Sequence, residues 1–512
     1  MVKIRTFSSS RPTPSDQRHI FRIAILSRLL TFTLIFLFRS LASPYDTSAS
    51  INPNCLSAIT TSNSQSEAIR FPRIASALES SIVWDGVYFV RIAQCGYEYE
   101  QTYAFLPLVP LCIRFLSRYV FGLLIPVIGY RAVLALSGYV TSNVAFTFAA
   151  VYLYRLSCLV LEDSEAAFRA SIFFCFNPAS IFYSSVYSES LYSLGSFGGM
   201  YHLLTGANTM SMLMFALSAS ARSNGVLNAG YFCFQALHLA YDAIFQKRNA
   251  YVALQRIMMA TLQTLCIFFP FIAFQTYGYL NICLGSVNEL RPWCKATVPL
   301  LYDYIQNHYW GVGFLRYFQL KQLPNFLLAS PMLSLAFCSV AKYLKLRPEV
   351  VLTLGFQACQ NEKEHASIFY SWETDQRPNG SQSTKGASSI TMREPQSLRK
   401  KKQKINEEIS ETSGNPIPAS TNVHSSAMQG YSSILVLPFV LHLAFISVVA
   451  FLVMHVQVAT RFLSASPPIY WFLSYLMVSS GKGRRWAYLV WVYFITYILL
   501  GSLLFSNFYP FT

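Results

Sequence analysis

Apolar residues in this chain come in blocks of roughly twenty, repeated along almost its whole length. A helix needs about 20 such residues to cross roughly 30 Å of hydrocarbon, and in lipid only helices and closed barrels satisfy their own backbone. The blocks lie near 23–42, 104–128, 132–154, 168–187, 189–219, 226–245, 252–275, 326–343, 432–454, 469–480 and 486–505. The 168–219 region contains Pro178, Gly195, Gly198 and Gly199 and reads either as two helices or as one helix plus a broken pair. The expectation is therefore an all-α polytopic membrane protein, a multispan helical bundle of about 9–11 spans. Only 12% of the residues are charged, half of the roughly 25% usual in soluble proteins. That excludes a disordered chain and an ordinary cytosolic enzyme.

The 39 basic against 23 acidic residues leave a net charge of +16. In a soluble domain this would suggest nucleic acid. Here the cations sit in short clusters between apolar blocks, as cytoplasmic loops do, and no nucleic-acid partner is expected. Residues 1–22 read as a basic cytoplasmic tail, and 23–42 as a signal-anchor that is not cleaved. Arg39 can snorkel to the interface, and Arg28, read as lying off centre, costs less than a mid-bilayer arginine. Residues 23–354 form the membrane bundle, with polar lumenal loops at 44–103 and 276–325. Residues 355–430 are Ser-, Gln- and Lys-rich, carry the run Arg399-Lys400-Lys401-Lys402, and read as a disordered cytoplasmic insertion. Residues 431–512 supply the closing spans. With Lys482, Arg484 and Arg485 on the cytoplasmic side, 455–468 shares the lumenal face of the two polar loops.

Four stretches carry residues suited to chemistry. In WDGVYFVRIAQCGYEYEQTYAFLPLVP at 84–110, Asp85 follows Trp84, with Glu98 and Glu100 nearby. A carboxylate at a half-dry interface suits a general base acting on a sugar hydroxyl; the bland alternative is an interfacial Trp beside a solvated Asp. The loop 291–331 sets Arg291, Lys295, His308, Arg316 and Lys321 among Tyr302, Tyr304, Tyr309, Trp310 and Tyr317. Cations among aromatic rings can hold a phosphate and a sugar together, or form an amphipathic segment on headgroups. HVQVATRFLSASPPIYW at 455–471 places His455 and Arg461 in a short turn. NPASIFYSSVYSESLYSLG at 177–195 puts Glu189 at a helix edge, where an N-cap is the bland alternative. The 11 cysteines show no CxxC pair; Cys283 and Cys294 flank a loop and would bridge in an oxidising lumen. No ligand set has metal spacing, so neither metal nor cofactor is expected.

These stretches, together with ARSNG at 221–225, YIQNHYWGVGFLRY at 304–317, PNFLLASP at 324–331 and the closing SNFYPFT, give the chain a likeness. It resembles the PIG-V family, the second mannosyltransferase of glycosylphosphatidylinositol (GPI) assembly, over nearly all of its length except the first twenty residues and 355–430. The resemblance implies a GT-C type bundle in the endoplasmic reticulum membrane with its active site formed by lumenal loops. It implies transfer of an α-1,6-linked mannose from dolichyl-phosphate mannose to the first mannose of the GPI glycolipid precursor, and leaves room for a small membrane subunit. Many GT-C enzymes carry adjacent acids in the first lumenal loop. This chain has Trp84-Asp85 instead, so a second acid is sought among Glu98, Glu100 and Glu189. Asp85 is then the base of an inverting transfer, with Arg222, Arg291, His308 or Arg461 as the cation for the departing phosphate, and Trp84 and Trp310 as aromatic substrate contacts. Two other readings stay open: a sibling transferase acting on another lipid-linked glycan, and a transporter or flippase, which would place its ionisable residues inside the spans.

Overall fold

A computed structural model describes residues 13–45, 55–56, 69–284, 291–370, 430–479 and 481–511. Among the described residues every regular element is helical. Six helices among the described residues are long and apolar enough to cross a membrane: Pro14–Leu41, Tyr130–Leu161, Ala250–Leu284, Leu320–Leu346, Ile434–Leu452 and Gly483–Ser506. The block expected to span at 104–128 instead bends by 72° between Leu108–Val120 and Gly122–Ile128. Other expected spans fold as shorter helices at Ser164–Cys175, Glu189–Leu204, Asn208–Ala221, Ala229–Phe245 and Pro467–Val478, packed among the long ones. The reason is local: Asn177, Pro178, Gly206 and the Ser-rich 184–190 run interrupt the apolar blocks.

Close approach holds the short helices together. A methyl group on Gly195 would lie 2.8 Å from the Met214 carbonyl oxygen and the Ser218 nitrogen, so the 189–204 and 208–221 helices meet at backbone distance, as small residues allow in membranes. Gly225 is equally constrained: a methyl group there would lie 2.4 Å from the Ala219 nitrogen. The chain after Arg222 therefore folds back onto the helix it has just left.

The 176–188 segment, helical only at Ser180–Ser184, lies inside the bundle, where unpaired backbone would be costly. Its serines and Asn177 supply the missing partners. The Asn177 amide donates to the Phe174 carbonyl and its oxygen accepts from the Ala179 N–H, while the Ser180 and Ser190 hydroxyls donate to the carbonyls of Asn177 and Tyr183. Arg28 completes the set and corrects the expectation made for it. It stands at the middle of the Pro14–Leu41 helix and is buried. Its two terminal nitrogens donate to the carbonyls of Cys175 and Ser180 and to the hydroxyls of Ser180 and Ser184, all at 3.0–3.1 Å. The guanidinium also rests 3.8 Å from the Phe146 ring centroid. Its charge is offset by the carbonyl end of the 164–175 helix, not by a peripheral position.

The two ends of the bundle differ. At one end Asn507 donates to the Phe38 carbonyl and Trp84 Nε1 to the Phe505 carbonyl. At the other, Arg155 donates to Gln17, and Arg347 pairs with Glu362 at 2.8 Å. Here too an expectation needs correction. The change of composition at 355 does not mark the end of folded chain, because Gln360–His365 and Ser367–Tyr370 are helical and Ala366, Phe369 and Tyr370 are buried. Phe369 and Tyr370 pack against the rings of Phe234 and Phe439. The basic run Arg399–Lys402 and the sequon at Asn379 lie outside the described residues.

Candidate active site

The Asp85–Cys95 helix begins at its acid, so the carboxylate sits in the first turn, where the helix dipole favours negative charge. Trp84, just before it, adopts φ 52°, a left-handed conformation that a bulky side chain rarely takes. Tertiary contacts hold it there: Nε1 donates to the Phe505 carbonyl at 3.2 Å, and the ring packs on Phe508 at 5.8 Å. Phe505 and Phe508, at the end of the last helix and just after it, thus fix the residue that precedes Asp85. The Asp85 N–H donates to the Tyr187 hydroxyl at 3.1 Å. Tyr187 is buried, and that burial, reinforced by the charge of Asp85, pushes its hydroxyl pKa well above the usual value, so it remains protonated.

Four charges then alternate across four chain segments. Arg461, from the short Ala459–Leu463 helix, places Nη1 2.8 Å from Asp85 Oδ2 and 3.7 Å from Glu189 Oε1. Arg222 donates to the same Glu189 oxygen. The other Glu189 oxygen is sealed from solvent and accepts no hydrogen bond. Burial opposes the charge on Arg461, but Asp85, Glu189 and Tyr187 outweigh it and hold its pKa above the ordinary arginine value. The two acids differ in access: the Asp85 side chain is 35% exposed and that of Glu189 only 2%. Asp85 is the more accessible of the two carboxylates. Glu189 starts the Glu189–Leu204 helix as its first residue and makes no cap bond; its partners are the two arginines.

The family model described as Mannosyltransferase (PIG-V) matches residues 17–512. The chain belongs to the PIG-V mannosyltransferase family. It is similar to the GPI alpha-1,6-mannosyltransferase 2 of Homo sapiens, with 29% identity over 98% of this chain and all of the relative. The GPI mannosyltransferase 2 of Drosophila melanogaster is 29% identical over 84% of this chain and 86% of its own, and that of Chaetomium globosum 33% identical over 49% and 60%. No solved structure matches. The chain is a multispan membrane glycosyltransferase.

Of the acids considered for this PIG-V chain, Glu98 and Glu100 are committed elsewhere. Glu98 accepts from Arg91 at 2.6 Å and from the Leu56 N–H at 2.6 Å, beside a Cys55–Cys95 disulfide. Glu100 accepts from Trp293 Nε1 at 2.7 Å and the Tyr309 hydroxyl at 2.8 Å. Both brace the loops at this end of the bundle. Arg291 and His308 belong to the same outer cap: Arg291 is exposed near Tyr309, and His308 stacks on Tyr304 at 5.0 Å. Among the described residues no contact joins either to Asp85. Trp310 lies closer, through a ladder in which its ring meets Phe105 at 6.3 Å and Phe105 stacks on Tyr88 at 4.7 Å, one turn after Asp85. His455 stacks on Tyr317 at 4.5 Å, and burial lowers its pKa, so it is a neutral brace and not a second cation.

The Cys283–Cys294 bridge forms as the flanked loop suggested. Cys55–Cys95 escaped the sequence reading, although all four bridged cysteines lie in polar segments. Tyr187 escaped it too, because nothing local marks one tyrosine in a Ser/Tyr-rich run as the partner of a backbone 102 residues away.

Proposed function

We propose that this chain adds the second mannose of the GPI precursor, in α-1,6 linkage, from dolichyl-phosphate mannose, with inversion. The observation that carries the assignment of the base is the accessible Asp85 carboxylate, held at one oxygen by Arg461. The acceptor 6-hydroxyl gives its proton to Asp85 as its oxygen forms a bond to the mannose anomeric carbon. The bond from that carbon to the phosphate oxygen breaks, and its electron pair leaves with dolichyl phosphate. Attack from the face opposite phosphate turns a β-linked donor into an α-linked product. Arg461 and Arg222 supply positive charge beside the reacting groups, where a departing phosphate gains negative charge. The names of the relatives support the acceptor and linkage.

In this reading the site end faces the endoplasmic reticulum lumen. Both disulfides lie at that end, and disulfides persist in oxidising compartments. Arg347, Arg484 and Arg485 belong to the opposite, cytoplasmic end. Residues 1–22 form a cytoplasmic tail, 44–103 and 276–325 lumenal loops, and 371–429 a cytoplasmic insertion. A small membrane subunit remains compatible with this arrangement. The test uses membranes containing the protein, labelled dolichyl-phosphate mannose and a one-mannose GPI precursor. A two-mannose product cleaved by an α-1,6-specific mannosidase is expected; transfer to another lipid-linked glycan alone would overturn the assignment.

A further inference from the structure

We infer that Glu189 is a positioning residue that offers Arg461 a second seat, so that Arg461 swings from Asp85 toward Glu189 when Asp85 takes the acceptor's proton. The inference rests on the reading of Asp85 as the base. A single nitrogen, Arg461 Nη1, is shared between the two carboxylates, at 2.8 Å from Asp85 and 3.7 Å from Glu189. Moving the guanidinium by about one ångström reverses the order of the two contacts, well within the reach of a side-chain adjustment. Glu189 is built to receive it. Its side chain is buried, it lies in the first turn of a 16-residue helix, and one of its oxygens is enclosed without a partner. A buried carboxyl group with an unfilled oxygen gains from every cation that can approach it. Arg222 donates to Oε1, the same oxygen that faces Arg461, and holds Glu189 in place, while the enclosed oxygen is Oε2.

The consequence for the reaction is electrostatic. While Asp85 is ionised, Arg461 stabilises it; a guanidinium held by Asp85 alone would make it a weak base. Sharing Arg461 with Glu189 reduces that hold, and once Asp85 is neutral the guanidinium keeps a counter-charge. No bond beyond those of the transfer itself is made or broken. Among the described residues, the charged and titratable groups facing Asp85 are Arg461, Tyr187, Glu189 beyond the arginine, Arg222 behind Glu189, and Tyr88 on its own helix.

Glu189→Gln removes negative charge behind Arg461, so Asp85 holds its proton less well and the acid limb of the kcat/KM profile moves to lower pH by about one unit. The same variant leaves Asp85 as sole carboxylate partner of Arg461, so kcat falls by about tenfold or more with little change in KM. Arg222→Gln leaves Glu189 to draw Arg461 away, and the acid limb moves to higher pH. Opposite displacements are the result a merely structural role cannot produce. Because a buried amide beside Arg222 can impair folding, the double variant Glu189→Gln/Arg222→Gln, which removes the pair as a neutral unit, and Glu189→Asp, which keeps the charge, are measured alongside, each normalised to folded protein. Glu189→Asp is expected to recover most of kcat with a near-native profile. An unchanged kcat and pH profile in a well-folded Glu189→Gln or in the double variant, with Asp85→Asn inactive, overturns this inference alone. Activity retained in Asp85→Asn would overturn the underlying reading of the base instead.

Discussion

Arg461 Nη1 lies 2.8 Å from Asp85 Oδ2, although the two residues stand 376 positions apart in the chain. The contact joins the first polar loop to the turn before the last two helices. It turns an otherwise half-exposed acid into a fixed, oriented carboxylate.

Asp85→Asn preserves shape and the backbone bond to Tyr187 but cannot accept a proton. Turnover per molecule should fall by about 10²-fold or more, with protein level near normal. A radiolabel transfer assay on equalised membranes checks this. Near-normal turnover would remove Asp85 from the chemistry.

Arg461 carries one charge for two acids, and the fork geometry of a guanidinium matters to that task. Arg461→Lys should keep a measurable fraction of activity, while Arg461→Ala should lose considerably more and leave two carboxylates without their shared cation. Specific activity and abundance, measured separately for both variants, discriminate a role in turnover from one in assembly. Equal turnover per molecule in wild type and Arg461→Ala would exclude Arg461 from the site.

Arg28 tests the account of the buried 176–188 segment. Replacing it with Leu leaves two carbonyls and two hydroxyls without their donor, and unpaired buried polar groups cost about 1–3 kcal/mol each. Arg28→Leu should lower abundance and the melting temperature of detergent-solubilised protein sharply. Lys at the same place reaches fewer acceptors and should recover only part of the loss. A melting temperature within a degree or two of wild type would show that the segment holds its own conformation.

The folded boundary after residue 355 gives a deletion with a defined edge. Replacing 371–429 with a short Gly/Ser linker should leave transfer nearly intact, since loop length costs little. Extending the deletion to 365 removes buried Ala366, Phe369 and Tyr370 and should reduce protein level. Comparing the two by quantitative blot and transfer assay locates the boundary.

Asn379-Gly380-Ser381 reports on orientation. With 371–429 on the cytoplasmic side it should carry no glycan, and endoglycosidase should not change the mobility of microsomal protein. A shift abolished by Asn379→Gln would reverse the assignment of that segment.

Much of this protein is determined by its sequence alone. The spacing of apolar blocks specifies a helical membrane bundle because the cost of burying backbone in lipid is local and length-dependent. The ordered blocks from WDGVYFVRIAQC to SNFYPFT carry the family likeness, and Asp85 stands out because it follows Trp84 in the first polar loop. Tertiary structure alone decided the rest. The sequence left Glu98, Glu100 and Glu189 open as companions of Asp85; Glu98 and Glu100 bind Arg91, Trp293 and Tyr309, and it is Glu189 that shares Arg461 with Asp85. Arg28 looked like a peripheral charge and is the central brace of a buried segment. Periodicity reports neighbours along one helix; it carries no information about which distant side chain a buried charge must find. That choice follows from the packing of the helices, because in a medium without water an unpaired charge leaves only partners brought within hydrogen-bond distance by the fold.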